Sequence, residues 1–165
     1  MKILLVLGIV AGVLLFRLLR VYASIPWYAR YWKKQAIKTP PEGSFTFVII
    51  GDSVAQGIGT TRVSQSYVRR LGRAITVETG KKVHMVNLSV TGATVHAAIK
   101  SQLPQFKSLD YKPDIVLLEI GANDIKFFEA KKFEADFKKI LSLLPKSAIV
   151  AEVPPFGGVK EPTVL

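Results

Sequence analysis

Ser53, Gly92 and Asn123 are the residues whose types and spacing invite chemistry. Ser53 lies just past an abrupt end of an apolar run, where a hydroxyl is presented to solvent. A serine hydroxyl attacks an acyl carbon only after a base takes its proton. The attack creates an oxyanion, which needs fixed donors. Losing one such donor typically costs on the order of 3 kcal/mol. The backbone N–H groups of Ser53 and Gly92 and the carboxamide of Asn123 are suitable donors. Glycine at 92 allows positive φ and close backbone approach. Asparagine offers a donor that carries no charge.

These residues need elements to hold them. Residues 45–50 (FTFVII) form a nearly continuous apolar run, as in a strand buried on both faces. Similar strands are expected at 83–89 and 115–120, and a fourth at 148–153, stopped by Pro154-Pro155. Helical spacing places helices at 65–79, with Val68, Leu71 and Ile75 inward, and at 94–107, with Pro104 as a break point. Residues 127–144 make an amphipathic helix with Phe128, Phe133, Phe137, Ile140, Leu141 and Leu144 toward the core. Strand–helix alternation implies an α/β fold, a three-layer sandwich around a parallel sheet. Ligands of such sheets bind beyond the carboxyl ends of the strands. Gly51-Asp52-Ser53, Thr91-Gly92-Ala93 and Gly121-Ala122-Asn123-Asp124 all fall at those ends.

The run GDSVAQGIG at 51–59 resembles the first block of the SGNH, or GDSL-type, serine hydrolases (esterases and lipases). Gly92 in NLSVTGAT matches the second-block glycine, and Asn123 in GAND the third-block asparagine. The resemblance covers residues 45–155. It implies a flavodoxin-like fold and hydrolysis of carboxylic esters (acyl, lipid or acetyl) through an acyl-enzyme. It makes Ser53 the nucleophile and Ser53, Gly92 and Asn123 the oxyanion hole, with no cofactor and no metal. The family's base comes from an Asp-x-x-His block, and no Asp here has His three residues later. The expectation is therefore a C-terminally incomplete member, inactive or impaired. The alternative is a non-catalytic module of the same fold that binds an acyl or glycan ligand.

Each residue also has a plainer reading. Ser53 caps a helical turn, Asp52 bonds loop amides in an Asx-turn, Gly92 and Asn123 serve turns, and Asp124 caps the helix that follows it. His84 is a core or surface histidine. His96, one turn past Gly92, is the histidine near the rim and a substitute base at most. The Lys131-Lys132 and Lys138-Lys139 pairs are a solvated helix face.

The chain has 165 residues and a net charge of +11, unevenly placed. Residues 1–44 hold seven Lys/Arg and one acid, Glu42, more than half of the excess on a quarter of the chain. With no nucleic-acid motif, that distribution points to a membrane surface rather than to nucleic acid. Residues 3–16 are fourteen apolar residues without interruption, a helix of roughly 21 Å that snorkelling arginines extend. The expected organisation is a single-pass membrane anchor with an interfacial aromatic segment at 1–32 (Trp27, Tyr28, Tyr31, Trp32), a linker at 33–44 and the hydrolase-like domain at 45–165. Two alternatives stay open. One is a cleaved signal ending at Val21-Tyr22-Ala23, against which Arg17 and Arg20 stand. The other is a buried core helix, against which the lack of a polar face stands. Denser positive charge after the run places the domain on the cytoplasmic side. Zero cysteines exclude disulfides and a thiol nucleophile. The sequence leaves oligomeric state undetermined.

Overall fold

The computed structural model describes residues 2–152. Its elements run α1 (Lys2–Ala36), β1 (Phe45–Gly51), the short α2 (Ser53–Gln56), α3 (Tyr67–Thr79), β2 (Val83–Asn87), α4 (Val95–Lys107), β3 (Ile115–Glu119), α5 (Ala130–Ser142) and β4 (Ile149–Val150). Short 3₁₀ turns cover Val63–Gln65 and Ala122–Phe127. The four strands form one parallel sheet in the order β2-β1-β3-β4.

Period-two alternation splits β1 between two cores. Val48 and Ile50 join Val86, Val116 and Leu118 under α4 and α5, where Val95, Ala98, Leu103 and Ile140 are buried. Phe47 and Ile49 join Met85 and Leu117 on the other face, under Val68 of α3 and Tyr28 and Trp32 of α1. The result is a three-layer α/β sandwich. The chain leaves β1 toward β2, then crosses back to β3. The switch point therefore lies between the carboxyl ends of β1 and β3, where a crevice opens.

Helix α1 departs from the expected plan. The helix runs unbroken through Pro26 to Ala36, so the segment expected as a linker begins as helix. Tyr28 and Trp32 are 2% and 1% exposed, packed in the domain core, whereas Trp27 is 55% exposed. Trp32 Nε1 donates to Gln56 O at 2.9 Å, and the Tyr28 hydroxyl meets Thr60 O at 2.9 Å. Two of the four aromatics expected at a membrane interface thus belong to the sheet's outer layer. Their sequence spacing, four apart on one helix face, suits either role. Only the presence of Phe47, Ile49 and Leu117 opposite decides it. The apolar half of α1 stands clear of the domain; by length and composition it is sufficient to cross a membrane, with mean hydropathy 2.4 and none of that window buried.

Smaller differences have local causes. Leu71 is exposed, because α3 approaches β2 through Gly72 instead: a Cβ there would stand 2.6 Å from Met85 Cε. Pro104 does not break α4. The helix expected from 127 starts at Ala130, and Phe128 is exposed. Strand β4 covers Ile149–Val150 of the expected 148–153, whose last residue and the Pro154-Pro155 stop lie outside the described residues.

Candidate active site

Strand β1 ends at Gly51, a position with no room for a side chain. A Cβ at Gly51 would lie 2.6 Å from Glu119 O and 2.7 Å from Ala55 Cβ. Asp52 is the N-cap of α2, its Oδ1 accepting from Val54 N at 2.9 Å. The Asx-turn reading of Asp52 therefore holds, and Ser53 is not the cap. Ser53 opens α2, and its N–H is among the first of the helix, where no intrahelical acceptor exists. Gly57 ends α2 at φ +88°, its N–H donating to Ser53 O and Val54 O. A Cβ there would stand 2.7 Å from Ser66 Cβ, so the short turn carrying Ser53 is clamped by glycine at both ends.

The other two loops close on this turn. Val90 N donates to Gly51 O at 3.1 Å, and Gln56 Nε2 to Ser89 O at 3.2 Å. Thr91 Oγ1 donates to Gln56 Oε1. Gly92 follows directly after these ties, at φ +78°. After β3, Asn123 Nδ2 donates to Asp52 Oδ2 at 3.1 Å and to Ala93 O at 3.0 Å. One carboxamide thus bridges the residue before Ser53 and the residue after Gly92. Among the described residues, neither Ser53 N–H nor Gly92 N–H donates in a backbone hydrogen bond. Both N–H groups of Asn123 are taken. A carbonyl oxygen reaching Asn123 must displace Asp52 or Ala93 O from one of them.

Asp124 caps a helix other than the one expected. Its Oδ2 accepts from Val95 N at 3.0 Å, at the start of α4, not from the helix that follows it. A carboxylate at a helix N-terminus is favourable electrostatically. His96 is 46% exposed, and its Nδ1 stands 3.1 Å from Asp136 Oδ2, a bridge between α4 and α5. His96, Asp136, Asn123 and Phe133 line one open pocket of about 210 Å³. His84 sits half-buried at the amino end of β2, its ring edge-on to Tyr111 at 6.3 Å, away from the carboxyl ends of the strands.

The surroundings of Ser53 are acidic. Burial raises the Asp52 carboxyl above its ordinary value; the Val54 N–H opposes this and Asp124 adds to it. Glu119 is pushed up to about 7, first by burial and then by Asp52. The Tyr67 hydroxyl, 3.4 Å from Glu119 Oε2, is raised by burial and by that carboxylate. Neutral donors, rather than cations, are what this rim offers a carbonyl oxygen.

Gln102 is a positioning residue that sequence reasoning passed over. It is fully buried, with Oε1 accepting from Gly51 N and Nε2 donating to Gly51 O, both at 2.9 Å. The end of β1 is thereby gripped through both backbone groups. The signal was present in the sequence: Gln102 continues the Val95, Ala98 stripe at helical spacing, a polar residue on an apolar face. Asn87, buried in β2 and donating to Ala55 O at 2.8 Å, left the same kind of signal.

A family model for the GDSL-like Lipase/Acylhydrolase family matches residues 49–164. An arylesterase of Vibrio mimicus is 31% identical over 107 residues, 64% of this chain and 52% of that protein. The solved SGNH-hydrolase family esterase AlinE4 superposes with a TM-score of 0.53 at 24% identity, over 63% of this chain and 54% of its own. TesA does so with a TM-score of 0.50 at 24% identity, over 64% and 57%. At such identity the superpositions establish a shared fold. The chain spans about half the length of these relatives.

Proposed function

Since the chain belongs to the GDSL-like lipase/acylhydrolase family, we propose that its Ser53 turn is built to hydrolyse carboxylic esters through an acyl-serine. Ser53 Oγ attacks the carbonyl carbon while its proton passes to a base. The oxyanion takes the N–H groups of Ser53 and Gly92 and one N–H of Asn123. Collapse breaks the ester C–O bond and releases the alcohol, which takes up the proton. Water then attacks the acyl-serine, the acid leaves and Ser53 regains its proton. The observation that carries this reading is the Asn123 bridge, which binds Asp52 and Ala93 and so draws the three loops to one point.

The base is the open member. The 165 residues contain no Asp-x-x-His, and His96 is turned toward Asp136. General-base catalysis contributes roughly 10²–10⁴-fold, so the group that takes the Ser53 proton sets much of the rate. The second reading, an acyl- or glycan-binding module of the same fold, needs no base. We also place α1 in a membrane as a single-pass anchor, on the strength of its exposed apolar half; a secretion signal passes the same test of length and composition.

The test is hydrolysis of p-nitrophenyl esters by the full chain, alongside fluorophosphonate labelling, which reports a nucleophilic serine without requiring turnover. Ser53→Ala abolishes both, and Asn123→Ala lowers the rate by on the order of 10²-fold. Equal rates for Ser53→Ala and the unaltered chain reject the hydrolase reading. Ester binding with rates and labelling equal to those of Ser53→Ala selects the binding module.

A further inference from the structure

The wide, open pocket beside α1 has no part in the chemistry above. It measures about 770 Å³ and lies between Arg17, Arg20, Ser24 and Trp27 of the helix and the Gly59–Thr61 loop. We propose that it is a binding site for the headgroup of an anionic phospholipid; the proposal rests on the membrane-anchor reading of α1.

Three observations carry it. The first is height. About 20 residues of helix counted from Ile3 put the far edge of the hydrocarbon near Tyr22, so Arg17 and Arg20 lie within about 8 Å of it and their long side chains reach the headgroups by snorkelling. The second is chemistry. Arg17, Arg20, Ser24 and Trp27 repeat at three- and four-residue intervals, which puts them along one helix face. Guanidinium groups match phosphate oxygens in paired hydrogen bonds, and Trp27 supplies an amphipathic ring suited to the interface. No acidic residue occurs before Glu42 to compete for either arginine. The third is the opposing wall. Thr60 is fixed by the Tyr28 hydroxyl, at 2.9 Å to its carbonyl and 2.8 Å to its Oγ1. Thr60 N donates to Gly57 O, so this wall is continuous with the turn that carries Ser53. Tyr28 lies only about 12 Å along the helix from Arg20. A lipid held here would sit beside the Ser53 turn, and the domain would ride close on the bilayer.

The experiment uses the full chain in uncharged detergent, titrated with dihexanoylphosphatidylglycerol, dihexanoylphosphatidylcholine or inorganic phosphate. Trp27 emission reports the pocket, while Trp32 is buried elsewhere. The expected result is a saturable change with phosphatidylglycerol, weakened on the order of tenfold or more in Arg17→Gln/Arg20→Gln. Lys33→Gln/Lys34→Gln removes equal charge outside the pocket and is expected to leave the response within about twofold. Equal loss in the lysine variant overturns the site in favour of diffuse charge attraction. An equal response to phosphatidylcholine overturns the anionic preference, and equal binding of inorganic phosphate overturns the lipid assignment. Flotation with phosphatidylcholine vesicles tests the anchor separately. A chain that fails to float overturns the anchor and the site together, whereas one that floats yet ignores phosphatidylglycerol overturns the site alone.

Discussion

Gln102→Met is the substitution that most directly tests how the Ser53 turn is held. Methionine is close to glutamine in length and volume, so the cavity contribution is small. What is lost is the pair of hydrogen bonds to Gly51 N and Gly51 O. Gly51 O keeps a second donor, Val90 N, whereas Gly51 N has no other partner among the described residues. Losing the bond to Gly51 O costs about 1 kcal/mol net, and leaving the buried Gly51 N–H without an acceptor costs about 1–3 kcal/mol. The expected destabilisation is about 2–4 kcal/mol. For a domain of this size that lowers Tm by roughly 5–15 °C. Thermal unfolding followed by circular dichroism in detergent measures it, and fluorophosphonate labelling at a temperature where both proteins are folded reports the Ser53 turn. Labelling is expected to slow as well, because Asp52 and Ser53 directly follow the residue released. A Tm within about 1 °C of the parent, with labelling unchanged, refutes the idea that Gln102 positions the turn.

Further expectations follow from the same structure. Gly57→Ala meets both a Cβ clash at 2.7 Å with Ser66 and φ +88°, so chemical denaturation should show a loss of at least about 1–2 kcal/mol. Trp32→Ala empties a fully buried site in the core shared with Phe47 and Leu117, and about 3–5 kcal/mol should be lost; a helix that served only as a tether would give none. Glu119 is raised from 4.5 to about 7. The folded protein therefore holds this proton more tightly than the unfolded chain, and the associated stability is present below about pH 4.5 and lost as pH rises through about 7. Glu119→Gln should flatten that decline and raise Tm at pH 8 relative to the parent; a parallel pH profile for both proteins contradicts it.

The alternation of apolar strands with amphipathic helices determined the α/β class from sequence alone, because the burial period of each element is written in its residues. The order of Ser53, Gly92 and Asn123, each just past a strand, was enough to place all three at one end of the sheet, since parallel strands share their carboxyl edge. Sequence also exposed the fourteen-residue apolar run and the basic stretch after it. Tertiary structure alone decided the partners. Asp124 could have capped any nearby helix N-terminus; the proximity of the β3 loop to α4 assigned it to Val95. The pattern Tyr28-x-x-x-Trp32 describes one face of a helix equally at home in an interface or a core, and the open sheet face under Phe47 and Ile49 settled the choice. Gln102 was visible as a polar intrusion, but its grip on Gly51 depends on α4 crossing the end of β1. Spacing fixes which residues share a face, while contacts between elements distant in the chain arise only when the layers close.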